Sequence, residues 1–226
     1  MINKHHLAIA AVAVLPMLAS TPANADNKYA VGAQVGTDGY GIEGQYSLTD
    51  RLALRGGYHD LSFDIDDESY DGITYNGDLE FKNMAAFLDY HPFNNGLFIS
   101  GGAYFGDKSV ALSAVPTGTV VVGSTSVTNV ETGTLNSSVS LADTAPYLGF
   151  GFDNGVFGGD SPLAFHASVG VMFTDTPEVS LTSVGGTLSA DPTFLAELAQ
   201  EAQNLQDDIS DFEYYPVVKV GLTLRF

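Results

Sequence analysis

His166 and Ser168 stand two positions apart, so on a β-strand they share a face and an imidazole comes within hydrogen-bond reach of a hydroxyl. That is the pairing from which a base-activated nucleophile is built. No acid can be assigned from the sequence to orient the ring, and packing inside the fold is the competing reading. A second group, Asp60, Asp64, Asp66, Asp67, Glu68 and Asp71, offers oxygen ligands for Ca²⁺ or Mg²⁺. No frame puts a glycine at the sixth position that an EF-hand needs, so these residues read as a solvated acidic loop with weak cation attraction and no metal site. The chain has no cysteine, which removes thiolate metal sites, disulfides and a cysteine nucleophile together. Eight basic against 27 acidic residues, a formal charge of −19, leave almost no cationic surface for a phosphate backbone, so nucleic acid is excluded as a partner.

The elements that must carry these groups are strands. From Tyr214 the chain reads YYPVVKVGLTLRF: Tyr214, Pro216, Val218, Val220, Leu222, Leu224 and Phe226 fall on one parity, and Tyr215, Val217, Lys219, Gly221, Thr223 and Arg225 on the other. A strand in a soluble sheet usually stops near five or six residues, whereas a tilted strand crossing a bilayer needs about 9 to 11. The same alternation recurs from Tyr29, Tyr40 and Leu163, and less cleanly from Leu52, Met84, Leu97 and Pro146. One face suits lipid and the other is small or polar, the pattern of a transmembrane barrel. The count predicts a closed, all-β, eight-stranded antiparallel barrel, with a soluble β-sandwich as its competitor.

With both termini in the periplasm, the turns near 48–50, 91–96 and 153–161 are short and inner, and the connections near 60–78, 106–143 and 174–213 are long and outer. Parity slips at Leu61, Phe63 and Phe81 read as bulges or as strands leaving the membrane. The expected girdle aromatics are Tyr46, Tyr90 and Phe226 below, and Tyr40, Tyr58, Phe105 and Phe173 above. Inward parity gives a lumen network of Glu43, Gln45, Arg55, His59, Asn83, Asp89, His166, Lys219 and Arg225. An eight-stranded barrel is just wide enough for side chains to fill, so these charges must pair with one another. They form either a plugged core or a polar constriction in a channel.

Two segments break the β pattern. At the start, Lys4, the apolar run Leu7 to Leu18 and Ala23-Asn24-Ala25 read as a secretory signal peptide over 1–25, leaving a barrel of 26–226. Near the end, Asp191 caps and Pro192 opens a helix over about 191–210, with Phe194, Leu198, Ala202, Leu205, Ile209 and Phe212 along one stripe. It is read as a lid or plug, as a contact for a partner, or as a helix docked on the barrel rim. Between 118 and 141, TVVVGSTSVT and TLNSSVSL read as strand extensions above the membrane.

The runs GIEGQYSLTDRLALRGGY (41–58), LDYHPFNNGLFISGGAYF (88–105), APYLGFGF (145–152) and the terminal YYPVVKVGLTLRF resemble small proteobacterial outer-membrane barrels of the OmpA, OmpX and OmpW kind. The resemblance covers most of the chain after residue 25 and rests on strand and turn motifs. It implies an outer-membrane location, contact with lipids and lipopolysaccharide, and use of the terminal Phe226 as a signal to the barrel-assembly machinery. The OmpW-like members add passage of small, often hydrophobic solutes. His166-x-Ser168 also resembles the pair of lipid A deacylases of the PagL type, but Val169 stands where those enzymes carry asparagine. The resulting expectation is a non-enzymatic barrel with a structural or surface-interaction role and no cofactor. The alternatives are a narrow solute pore gated by the 191–210 helix and a lipid A-modifying hydrolase.

Overall fold

The computed structural model describes residues 28–70, 73–116, 118–122, 125–157 and 161–226. The proposed signal peptide and Asp71 lie outside them. The strands in chain order are β1 (Tyr29–Gly36), β2 (Gly39–Thr49), β3 (Leu52–Tyr70), β4 (Ile73–Tyr90), β5 (Leu97–Pro116), β6 (Thr119–Val122) and β7 (Thr125–Thr128). A one-turn helix α1 (Asn129–Thr132) leads into β8 (Gly133–Ser140), β9 (Thr144–Asp153), β10 (Leu163–Phe173) and β11 (Glu178–Gly185). The helix α2 (Pro192–Asp208) precedes β12 (Tyr214–Arg225).

Eight of these strands close on themselves in the order β1, β2, β3, β4, β5, β9, β10, β12. The seam pairs β1 with β12 from Ala30 opposite Arg225 to Gly36 opposite Lys219. Closure leaves no open edge at membrane depth, which a bilayer requires because it cannot hydrogen-bond free backbone groups. The hairpin from β1 to β2 turns on Gly39 at φ +96°, where a Cβ would run into the Asp60 carbonyl. Outward residues form an apolar belt: Ile42, Leu54, Met84, Ile99, Phe150, Val169 and Leu222 are all exposed, Met84 by 67%. A β-sandwich would have buried these faces, so the barrel displaces its competitor. The expected girdle residues Tyr40, Tyr46, Tyr58, Tyr90, Phe105 and Phe173 point outward too. Phe226 is half-buried and stacks on Tyr29 with ring centroids 6.2 Å apart.

The connections expected as outer loops are largely ordered strand, a correction to that expectation. β3 and β4 stay paired from Leu52 opposite Tyr90 to Ile65 opposite Gly77, with one irregularity between Ile65 and Glu68. The parity slip at Leu61 and Phe63 is therefore not a bulge but strand above the membrane. Phe63 keeps the inward parity yet is exposed, because the opposing wall already ended at the short turn after β1. Asp64, Asp66, Asp67 and Glu68 lie on β3 rather than in a loop, and Asp64 stands directly opposite Asp78.

Above the membrane β5 exchanges partners. Its lower half pairs with β9 and its upper half with β8, from Ser109 opposite Ser140 to Ala114 opposite Leu135. β11 adds to β8, so TLNSSVSL extends the barrel wall, whereas β6 and β7 form a hairpin of their own. α2 starts where Asp191 Oδ1 accepts hydrogen bonds from the backbone N–H of Thr193 (2.9 Å) and Phe194 (3.1 Å). Its buried Phe194 and Leu198 pack against Val122, Val127, Leu135, Leu181 and Leu188. The helix thus docks on the extracellular sheet and hairpin, not on the barrel rim, because the apolar residues that match its stripe are there.

Candidate functional site: the barrel lumen

Arg55 is the hub of the interior. It projects inward from β3 because Gly56 and Leu54 beside it take the lipid side, and it is completely buried. Its Nε donates to Asp89 Oδ2 (2.7 Å) and its Nη2 to Asp89 Oδ1 (3.2 Å), a two-pronged grip across the β3–β4 pair. Nη1 donates to Glu43 Oε2 (2.8 Å) on β2, and Nη2 also reaches Ser100 Oγ (3.2 Å) on β5. One guanidinium thereby ties four strands together.

Glu43 carries the network to the closing strand. Its Oε2 also accepts from Gln34 Nε2 (2.6 Å), and its Oε1 accepts from Lys219 Nζ (2.9 Å). His59 lies between two carboxylates, with Nε2 3.0 Å from Glu43 Oε1 and Nδ1 3.3 Å from Asp38 Oδ2. Asp38, from the turn after β1, folds inward and accepts from Tyr104 Oη (3.0 Å) on the far wall. Gln45 Nε2 donates to Asp153 Oδ2 (2.7 Å), a strut from β2 to β9 across the barrel.

Asp153 also supplies what sequence reading lacked beside His166. His166 Nδ1 is 2.6 Å from Asp153 Oδ2, and its Nε2 is 3.1 Å from Ser168 Oγ. Acid, imidazole and hydroxyl are in line, but all three side chains face the lumen and are buried.

The other wall is aromatic. Phe87, Tyr104 and Tyr147 pack edge to face with centroids 5.0 to 5.7 Å apart. The Arg55 guanidinium sits 4.4 Å from the Phe87 centroid and Lys219 Nζ 4.8 Å from it, so the ring faces bear on the two cations.

The structure thus brings Glu43, Gln45, Arg55, His59, Asp89, His166 and Lys219 into the lumen. Asn83 is there too, fully buried. Arg225 keeps the inward parity at the periplasmic end but is only half-buried. Sequence reasoning missed Asp38, Ser100, Asp153 and the aromatic wall. Parity held the signal for the rings, since Phe87, Phe98, Tyr104 and Tyr147 alternate with outward Leu88, Ile99, Phe105 and Leu148. Asp38 sits in a turn, where parity says nothing, whereas Asp153 ends β9 on the inward parity of Tyr147, at the residue where the sequence reading begins a turn. No group of three or more His, Asp or Glu side chains is arranged to hold a metal ion among the described residues.

Below the network His91 closes the periplasmic end, its ring 4.2 Å from Phe157 and 5.6 Å from Phe98, with Nδ1–H donating to Asn95 O (2.8 Å). Burial outweighs that hydrogen bond and pushes the imidazole below its ordinary value of 6.5, favouring the neutral form in the folded barrel. A base whose folded value is depressed stabilises fully above its unfolded value, and the contribution is lost as pH falls toward the folded one. Lowering the pH from 8 to 5 is therefore expected to lower the protection factors of the amides in residues 91–97, each taken relative to its intrinsic exchange rate at the same pH. His91→Phe should remove that pH dependence.

Comparison with solved structures finds CarO2 of Acinetobacter baumannii, with a TM-score of 0.56, 25% identity, and coverage of 88% of this chain and 98% of that one. CarO of the same organism follows at 0.51 and 23%, covering 87% and 97%. A major outer membrane protein of Thermus thermophilus gives 0.38 and 13%, covering 88% and 98%. No family model matches the sequence, and no curated protein matches it. The class is clear: this chain is an eight-stranded antiparallel β-barrel protein of the outer membrane.

Proposed function

We propose that this protein is a small barrel of the OmpA, OmpX and OmpW kind, acting as a structural or surface-interaction element with a closed lumen. The observation that carries this is the Arg55 hub, where one buried cation bridges Glu43, Asp89 and Ser100 across the centre of the barrel. A channel must leave its axis to water and solute, and here that axis carries paired charge and aromatic rings. The helix offers no gate: its buried residues contact β8, β11 and the β6–β7 hairpin, not the lumen network. An ordered sheet and helix above the membrane suit a surface contact. Lipopolysaccharide and lipids surround such a barrel, and Phe226 at the closed seam serves as its assembly signal.

A hydrolase is disfavoured by access. Lipid A lies outside the barrel, whereas His166 and Ser168 face inward, with Ser168 only 2% exposed. Two measurements test the reading together. The purified barrel in planar bilayers is expected to stay silent, with or without residues 192–208. A fluorophosphonate probe should leave Ser168 unlabelled. Steady conductance would sink the closed-lumen reading, and labelling lost in Ser168→Ala would restore the enzyme.

A further inference from the structure

Above the membrane, the open sheet of β3, β4, β5, β8 and β11 turns an apolar face inward over the barrel mouth. Cross-strand pairing sets Leu61 beside Phe81, Phe63 beside Leu79, Leu79 beside Val110 and Leu112 beside Gly77, all on that face. α2 covers the far half of it, where Phe194 and Leu198 pack on Leu135 of β8 and Leu181 of β11. The near half stays open. Phe63 is 48% and Leu112 43% exposed, and Leu61, Leu79 and Val110 are only half-buried. This half continues the surface that already holds a helix, and its three strands span about 10 Å. A helix with its side chains is about 10 to 12 Å wide, so one more fits beside α2.

Charge decides what that helix carries on its other side. Residues 60–82, 107–143 and 174–213, the parts of the chain above the membrane, hold 20 acidic residues and two bases, Lys82 and Lys108. Both bases are engaged. Lys82 Nζ donates to Glu80 Oε1 (2.5 Å), and Lys108 Nζ donates to the carbonyls of Gly106 (2.9 Å), Ala142 (3.0 Å) and Asp143 (3.1 Å). Ile209 and Phe212 face Phe81 and Val110 across the lower edge of the open face, and the exposed Asp207, Asp208 and Asp211 stand among them in the chain. An apolar face with an acidic rim is complementary to an apolar stripe with basic flanks. A second copy of this chain, equally acidic, would be repelled.

We propose that the extracellular mouth docks a positively charged amphipathic helix of a partner, its apolar stripe on Leu61, Phe63, Leu79 and Leu112 and its basic residues toward Asp207, Asp208 and Asp211. This names the class of partner for the surface-interaction role and rests on that reading. The closed lumen is read separately, by conductance.

The test holds the whole barrel in nanodiscs of zwitterionic phospholipid. The probe is a dansylated leucine–lysine peptide of about 14 residues, ordered to give one apolar helical face. The chain has no tryptophan, so Phe63→Trp places a single energy donor on the open face, and Phe165→Trp, on the lipid face, reports partition into the bilayer. Transfer from position 63 should saturate, while transfer from position 165 should rise only in proportion to concentration. Leu112→Lys, made in the Phe63→Trp protein, should weaken binding about tenfold, the worth of covering one leucine. Changing Asp207, Asp208 and Asp211 together to asparagine should weaken it severalfold and remove most of its salt dependence. Heat-modifiable migration checks that each variant is folded. Transfer that does not saturate, or binding unchanged in both variants, overturns the site. Equal binding of the peptide with glutamine or glutamate in place of lysine overturns the cationic partner. Equal binding of an alternating leucine–lysine peptide, an amphipathic strand, overturns the helix. Barrel dimers that form without peptide and are lost in Leu112→Lys would make a second copy the occupant and overturn the proposal. None of these failures touches the closed lumen, which only conductance would overturn.

Discussion

Arg55→Ala is expected to destabilise the barrel by about 3 to 5 kcal/mol, the cost of breaking a buried ion pair by removing one partner. The guanidinium makes four charge-assisted contacts, and its loss leaves Asp89 without either of its Arg55 bonds and Glu43 with Lys219, Gln34 and His59 alone. Neither carboxylate can turn to bulk water, since both side chains are buried. Arg55→Lys should recover little, because an ammonium cannot grip Asp89 with two parallel bonds while reaching Glu43 and Ser100. Urea titration of the folded, heat-modifiable band reads the loss directly. Asp64→Ala, at an exposed position on β3, serves as the control and should shift stability by no more than about 0.5 kcal/mol. Were Arg55→Ala equally silent, the charges at this level would have to be solvated. The pore reading would then move ahead of the closed scaffold.

Phe87→Ala should cost a similar amount, about 3 to 5 kcal/mol, by a different route. The ring fills the space between Tyr104 and Tyr147 (5.2 and 5.0 Å between centroids) and lies under both cations. Its fit is close: a Cβ added at Gly102 on the neighbouring strand would come within 2.7 Å of Phe87 Cδ1. Truncation leaves a void while every ion pair survives, so the loss is one of packing and dispersion. Phe87→Leu should recover more than half of it. Neither variant should conduct in planar bilayers, because the Arg55 struts still cross the axis. A loss below about 1 kcal/mol would mean that the aromatic wall collapses freely, contrary to a lumen packed to interior density.

Much of this was legible in the sequence, and for a physical reason. Inside or outside is a local property of a barrel strand, set by period-two alternation against lipid, so the eight strands, the exposed belt and the inward Glu43, Arg55, His59, Asp89, His166 and Lys219 follow from parity alone. The α2 start is equally local, written in Asp191 and Pro192. Which inward residues meet is not local. Glu43 and Lys219 are 176 positions apart, and Gln45 and Asp153 are 108 apart. Their meeting depends on the stagger with which the eight strands close, which no single strand encodes. Asp38 aims inward from a turn, where alternation lapses, while Asp153 ends β9 on the inward parity and its place beside His166 depends on the register of β9 against β10. Above the membrane the same limit applies. With no lipid to enforce a face, only the tertiary structure decided that β5 leaves β9 for β8, that β11 joins it, and that α2 docks there instead of on the rim.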